Sequence, residues 1–520
     1  MNLAQRCGAQ GTAHVSACQA LLHQLQAHSV EQLRVCWADL QGMLRSKTLV
    51  LDANSETQEQ QVQQVQQVQQ ALQNGIGMVS TLLLKDVSDR TALAVFDPAQ
   101  QEQRALLGLG SANNMLLLPD PGSLVHLPWA AGTAWLRADA VWADGSPVAS
   151  DPRHVLLRAL QTLASRGFEL RCGLEVEFHV YRIRQEQTSI ETEAWTTEPP
   201  DLALVHPGYS LLGDAHADQS SDVISLVRKT LLGLQLPLRS IEIELGPSQF
   251  EVVLAPTDAL SAADQMVRLR NGLRQALRRA GLYASFVCKP PFAGAVASGW
   301  HLHQSLVDLH GQPVMGRMQP TMDRAGPTMD RPKPKGDASS ARQLLSDTGA
   351  FWLAGLLAHA PGMAALCAPS IPAYRRFQGS VMAPQAAVWG FDNRGAMLRV
   401  LGEAEQGCVR IENRIGEPMA NPYLMMAAQV LAGLDGLQRK LQPPPAVEDP
   451  YASGHPALPD SLQQALKHLA ADTVLCEGLG PALLQAYLAV RNQELARQAQ
   501  CAGNREALAA WERREYFARF

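Results

Sequence analysis

At 520 residues, with 46% hydrophobic and 18% charged side chains, the chain has ordinary globular composition and length enough for two or more domains. A net charge of -5 leaves no basic footprint, which argues against nucleic acid as a partner. The longest apolar runs fall short of a membrane span, no secretory signal opens the chain and the nine cysteines form no CxxC pair, so a cytoplasmic protein with reduced thiols is expected.

Residues 1–30 read as a leader and a short helix. Residues 35–50, VCWADLQGMLRSKTLV, have the pattern of two short strands turning at Gln41-Gly42. The Gln-rich segment 59–73 reads as a helix, because Val62, Val65, Val68 and Leu72 recur at helical spacing between Ser55 as N-cap and Gly75 as C-cap. β-rich runs follow at 75–97 and 114–140. Residues 31–150 are therefore expected to form a small α+β domain, and 151–520 a second one.

That second region opens with a helix, 153–166, feeding the strand RCGLEVEFHV at 171–180. Strand alternation puts Glu175 and Glu177 on one face and Leu174, Val176 and Phe178 on the other. Alone, such a pair is also what a solvated strand face looks like. After a polar loop at 193–219 and an amphipathic helix, IEIELGPSQFEVVLAP (241–256) parses as strand, Gly-Pro turn, strand. Glu242 and Glu244 share a face and Glu251 begins the second strand, although a surface hairpin has the same look. A helix from 261 to 281 leads to a strand ending in SGWHLHQSL, with His301, His303 and Ser305 to one side. A neutral imidazole can complete a carboxylate-rich coordination sphere, and it can equally be structural. Residues 311–341, in which PTMDR occurs twice, read as a surface insertion without chemistry.

The densest chemistry follows in YRRF (374–377), DNRGAMLRV (392–400) and VRIENRIGEPMANPYL (409–424). Arg410, Glu412 and Arg414 alternate on one strand face. Arg375 is expected to be a salt-bridged structural residue, whereas Arg376, Arg394, Arg399, Arg410 and Arg414 suit anionic oxygens, which a planar guanidinium grips bidentately. Asn421-Pro422 caps a long apolar helix, and amphipathic helices close the chain.

Together, GLEVEF, EIELGPSQFE, SGWHLHQSL, YRRF, DNRGAMLRV and RIENRIGEPMANPYL resemble the glutamine synthetase family, from Val35 onward. The resemblance implies an α+β protein with an N-terminal β-grasp domain and a C-terminal catalytic domain built on a curved antiparallel sheet. It also implies a homo-oligomeric double ring, commonly a dodecamer, with active sites at subunit interfaces. The implied reaction activates the γ-carboxylate of L-glutamate with ATP, aided by two or three Mg²⁺ or Mn²⁺ ions per site, and lets an amine attack the γ-glutamyl phosphate. Carried over by motif, Glu177, Glu244 and Glu251 resemble the ligands of one metal, and Glu175, His301 and Glu412 those of another. His303 and Ser305 would lie by the nucleotide. Arg394, Arg399 and Arg410 would clamp the phosphoryl group and ATP, and Arg376 and Arg414 would hold glutamate. Arg394, Arg376 and Glu412 are the catalytic candidates.

Two departures bear on the amine. Met382 stands where ammonia-using members carry a glutamate in the loop after YRR, and no counterpart of their Asp-Gly-Ser-Ser stretch lies at 75–86. Each lost charge-assisted contact is worth roughly 1.5 to 3 kcal/mol toward a small cation, so ammonia is a poor expectation. A neutral arylamine such as aniline, met by an apolar wall of Val381, Met382 and Trp300, is the better one. An ammonia- or polyamine-dependent synthetase stays open, as does a catalytically silent structural or regulatory relative. Against the silent reading, all six metal positions retain ligating side chains.

Overall fold

Among the described residues, fifteen strands form two hydrogen-bonded sheets of six and nine. The computed structural model describes residues 1–9, 11–51, 58–110, 112–186, 198–317, 344–379, 382–403, 407–501 and 503–520. The first sheet holds β1 (Gln32–Ala38), β2 (Leu44–Val50), β3 (Ile76–Val79), β4 (Asn114–Pro119), β5 (Val125–His126) and β6 (Thr133–Val141). Its order is β2-β1-β6-β4-β3, with β5 on β6, and only β1 and β6 run parallel. The Gln-rich helix, Gln58–Asn74, lays Val68 and Leu72 on Leu33 and Leu136 of this sheet, which is the expected β-grasp arrangement. Helix Thr12–Ala27 adds Leu21 and Leu25 to the same cluster. Ser55, the expected N-cap, lies outside the described residues.

The run at 75–97 is strand only as far as Val79, and residues Ser80–Leu84 form a 3-10 turn. The reason lies in Leu83 and Leu84, which are both buried. Strand alternation would point one of two consecutive leucines away from the core, whereas a tight turn buries both.

The second sheet contains β7 (Phe168–Gln185), β8 (Asp201–Leu204), β9 (Leu238–Ile243), β10 (Gln249–Asp258), β11 (Leu282–Ser285), β12 (Trp300–Asp308), β13 (Trp389–Phe391), β14 (Leu398–Leu401) and β15 (Arg410–Asn413). It runs β13-β14-β15-β12-β7-β10-β9, with β8 and β11 on β7, and only β13 and β14 are parallel. This is the curved catalytic-type sheet that was expected, bent in part by a bulge between Leu254 and Thr257. The polar loop at 193–219 contains β8 and helix Asp214–Gln219; residues 187–197 lie outside the description. The strand expected to end in SGWHLHQSL is two strands, β11 and β12, separated by a segment carrying Pro290 and Pro291. Of the expected insertion at 311–341, residues 318 onward also fall outside the description.

One face of the second sheet is apolar. Leu174, Val176, Phe178, Phe250, Val252, Leu302 and Ile411 pack into the main core with helices Pro152–Ser165, Ala259–Arg279 and Pro422–Arg439. Each fully buried side chain of this size contributes about 1.5–3 kcal/mol relative to exposure. Asn421 caps the last helix, accepting from the Tyr423 and Leu424 amides at 3.0 and 3.4 Å, while its own amide donates to Asp39 and Leu40 carbonyls at 3.0 and 3.1 Å. Buried Arg270 reinforces the joint, donating to Gln41 and Gly42 at 2.9 and 3.0 Å and to Pro418 and Ala420 at 2.9 and 3.0 Å. Gly42, at φ +70°, is required there, because a Cβ would sit 2.2 Å from the Arg270 Nη2. The first sheet is thereby locked to the loop that follows β15. Among the described residues no single helix is long and apolar enough to cross a membrane.

Candidate active site

Sheet register alone gathers the acidic and imidazole side chains. Glu251 on β10 lies opposite both Glu242 on β9 and Glu177 on β7. Glu175 lies opposite His301 on β12, His303 opposite Glu412 on β15, and Glu412 opposite Arg399 on β14. Directly opposed residues share a face, and so do residues two apart, so every one of these side chains leaves the sheet on the side away from the core.

The distances bear this out. Glu175, Glu251 and His301 offer ligand atoms within 4.8 Å of one another, as do Glu175, His303 and Glu412. His303 Nε2 lies 2.9 Å from Glu175 Oε2, and His301 Nε2 lies 3.8 Å from Glu177 Oε1. Among the described residues, buried His301 Nδ1 has no hydrogen-bond partner, although Glu175 and Glu412 oxygens are 3.5 and 3.7 Å away. Glu177 is held by the Gly299 amide at 2.9 Å and the Gln249 side-chain amide at 3.1 Å. Among the described residues, Glu244 accepts only the neighbouring Leu245 amide, at 3.1 Å.

Electrostatics divide the cluster in two. Burial, and then the charges of their carboxylate neighbours, push Glu177 and Glu251 above the usual range. Glu244 is raised for the same reasons despite its amide contact. Burial also works against Glu175 and Glu412, but the imidazoles of His301 and His303, joined at Glu412 by Arg414, outweigh it and hold both below the usual range. Burial, followed by the Arg414 charge, takes His301 down to about 4, so its ring is neutral and has a lone pair to give.

Four arginines, Arg376, Arg399, Arg410 and Arg414, gather at this cluster. Glu412 is gripped from both sides, by Arg399 Nη1 at 3.0 Å and by Arg414 Nη1. Arg399 also pairs with Asp392, and Arg410 Nε donates to His303 Nδ1 at 3.3 Å. Arg376 reaches His301 Nε2 at 3.5 Å while anchored on the Gly416 carbonyl at 3.0 Å. Arg375 is the structural residue expected, paired with Glu512 at 2.7 Å. Arg394 stays exposed on the loop between β13 and β14, with Asp392 and Glu448 beside it, outside the carboxylate cluster. Ser305 shares the face of the histidines, but its hydroxyl donates to the Val409 carbonyl at 2.9 Å.

Two expectations need comment. Trp300 is no part of an amine wall: it lies opposite Val176, fully buried on the core face, because it is one residue out of phase with His301. Val381 falls outside the described residues, whereas Met382 is 48% exposed, at φ +61°, with its carbonyl 3.4 Å from Arg414 Nη2. Gln249 and Asp392, which orient Glu177 and Arg399, went unnoticed in the sequence even though both sit inside the quoted motifs.

The donor set suits a hard divalent cation. Crowded carboxylates that burial forces toward protonation, together with an unpartnered buried imidazole nitrogen facing two more, form an arrangement that is costly without a cation and well matched to one.

Residues 149–325 and 335–516 match the family described as glutamine synthetase, catalytic domain. The chain belongs to the glutamine synthetase family. It is 34% identical to a γ-glutamylanilide synthase of Acinetobacter sp over 96% of this chain and 95% of that one. It is 32% identical to a glutamate–isopropylamine ligase of Pseudomonas sp over 64% of this chain and 66% of the other. A solved GmaS/ADP complex superposes with a TM-score of 0.70 at 25% identity, covering 95% of this chain and 98% of that one. These relatives place this glutamine synthetase family member in the γ-glutamyl-amine ligase branch, whose members form carbon–nitrogen bonds. The family uses ATP and divalent metal ions, in keeping with the donor set above.

Proposed function

We propose that the chain phosphorylates the γ-carboxylate of L-glutamate with ATP and joins it to a neutral, apolar amine, an arylamine such as aniline. The observation that carries the choice of amine is the missing acid. Residues 371–391, which include the loop over Arg414, contain no Asp or Glu, and Met382 stands exposed there. Asp86, in the stretch where a second acid was sought, is buried and committed to the Ser88 and Arg90 amides at 2.9 Å each and to Arg497 at 2.9 Å. An alkylammonium would need such groups to shed its proton, whereas an arylamine arrives neutral at physiological pH. The relative named for an anilide product, matching along 96% of this chain, supports the same choice.

In this reading Glu177, Glu244 and Glu251 would hold one divalent ion and Glu175, His301 and Glu412 another, with His303 close enough to share Glu175. Bound ions supply charge neutralisation to phosphate oxygens. Arg399 and Arg410 would face the transferring phosphoryl group, and Arg376 and Arg414 would hold the glutamate carboxylate. Glu412 also holds Arg399 and Arg414 in place, so its loss disturbs phosphate and glutamate recognition together. Ser305, its hydroxyl fixed by Val409, lies at the nucleotide end. The same proposal divides the chain into a β-grasp domain at 31–150 and a catalytic domain at 151–520, and assembles it as a double ring whose neighbouring subunits complete each site.

Steady-state turnover with glutamate, ATP and a panel of aniline, ethylamine, putrescine and ammonia tests the proposal. Aniline is expected to give the highest kcat/KM, and efficient use of ammonia alone rejects it. Glu177→Ala is expected to abolish amine-dependent phosphate release; if wild type releases none with any amine, the chain is a silent relative.

A further inference from the structure

The stretch after helix Pro422–Arg439 carried no chemistry in the sequence, yet it straps down the loop at the mouth of the site. The Val447 amide donates to the Trp389 carbonyl at 2.9 Å, Ala387 to Pro456 at 2.8 Å and Leu458 to Gln385 at 3.0 Å. Side chains add to the strap, with Trp389 Nε1 donating to Pro444 at 2.8 Å and Asn393 Nδ2 to Glu448 at 2.9 Å. In the middle of this segment stands Tyr451. Its hydroxyl donates to the Ala383 carbonyl at 3.2 Å, one residue beyond Met382. Its ring lies over Gly395, where a Cβ would come within 2.9 Å of Tyr451 Cε2.

Met382 needs holding. Its backbone is left-handed, at φ +61°, a region that a residue with a Cβ adopts only at a steric cost. Two bonds flank the strained position, from Arg414 Nη2 to the Met382 carbonyl and from Tyr451 to the Ala383 carbonyl. One tether is a group proposed to bind glutamate and the other is an aromatic phenol, so the residue between them is fixed relative to the bound acid. Amine has to approach that acid's γ-carboxyl end. We infer that Tyr451 is a specificity-determining positioning residue, whose hydroxyl and ring set Met382 as the wall of the amine subsite. Burial moves the phenol above its usual range, so the hydroxyl remains a donor at neutral and mildly alkaline pH.

This inference rests on the ligase reading above, and the test separates the two. Tyr451→Phe removes the hydroxyl and keeps the ring, and Tyr451→Ala removes both. KM for amine, KM for glutamate and kcat are measured with whichever amine the wild type uses best. Tyr451→Phe is expected to raise the amine KM about three- to tenfold, the scale of one lost neutral hydrogen bond, with the glutamate and ATP KM values held within about twofold. Tyr451→Ala is expected to lower the preference for aniline over ethylamine further. Unchanged amine KM in the Phe variant, or a parallel rise in the glutamate KM, overturns the inference, and that variant carries the test even if the Ala variant fails to fold. A wild type that prefers an alkylamine overturns the arylamine reading while leaving the split in KM values measurable.

Discussion

Glu251→Gln separates a metal ligand from a structural carboxylate. In the ion-free protein, burial and then the neighbouring Glu175, Glu177, Glu244 and Glu242 raise the Glu251 pKa, so the group is protonated at neutral pH. A neutral amide of nearly the same shape then changes ion-free stability by no more than about 1.5 kcal/mol, the scale of a volume-conserving swap. Metal binding is another matter. Losing one charge-assisted carboxylate contact costs about 1.5–3 kcal/mol, which is roughly ten- to 150-fold in Kd. A proton count accompanies the loss. Ligand carboxylates bind deprotonated, so metal uptake by the wild type releases protons near neutrality and its apparent affinity rises with pH; the variant releases fewer. Calorimetric titration of Mg²⁺ or Mn²⁺ in two buffers of different ionisation enthalpy reads both quantities. Binding by Glu251→Gln as tight as the wild type, with the same proton release, refutes the assignment of Glu251 as a ligand.

Three further outcomes follow from contacts outside the amine subsite. His359 is clamped by Asp472 at 2.7 Å and Asp435 at 3.0 Å; burial lowers its pKa, but the two carboxylates outweigh burial and raise it above the ordinary 6.5. Its contribution is therefore full below that value and is lost as pH rises through the raised one, so His359→Gln should cost about 1.5–3 kcal/mol in urea unfolding near pH 6 and clearly less near pH 9. Buried Arg491 pairs with Glu494 at 2.9 Å and with Gln41 at 2.7 Å, and Arg491→Met leaves the buried Glu494 carboxylate without its counter-charge, held by the Val87 amide and the Tyr516 hydroxyl, so a loss of about 3–5 kcal/mol is expected by the same measurement. Trp300→Phe keeps most of the core volume and breaks no side-chain hydrogen bond, since the indole nitrogen has no partner among the described residues; the ranking of amines by kcat/KM should be unchanged.

Much of the site could be read from strand alternation, because period-two patterning decides which side chains share a face without any knowledge of neighbours. That is why Glu175 with Glu177, His301 with His303, and Arg410 with Glu412 all emerged correctly as pairs. What alternation leaves open is which strands lie side by side. Glu251 meets Glu177, 74 positions earlier in the chain, and no local pattern sets that register. Trp300 shows the opposite failure. The rule that places His301 in the site places Trp300 behind it, one residue out of phase and facing the core. Tyr451 lay beyond reach altogether, since its link to Ala383 spans 68 positions and begins in a Pro-rich stretch with no periodicity.

The two faces of the second sheet also depend on each other. Crowded, buried carboxylates make the polar face unfavourable in the absence of cations, so the register cannot be held from that side. It is held from behind, by Leu174, Val176, Phe178, Val252 and Leu302 in the main core. A one-residue slip of β12 along β7 would send Trp300 into the cavity and His301 into hydrocarbon, exchanging a well-packed indole for a desolvated imidazole. The apolar residues that touch no substrate therefore determine which side chains can, and mutations in that core should erode metal affinity before they unfold the protein.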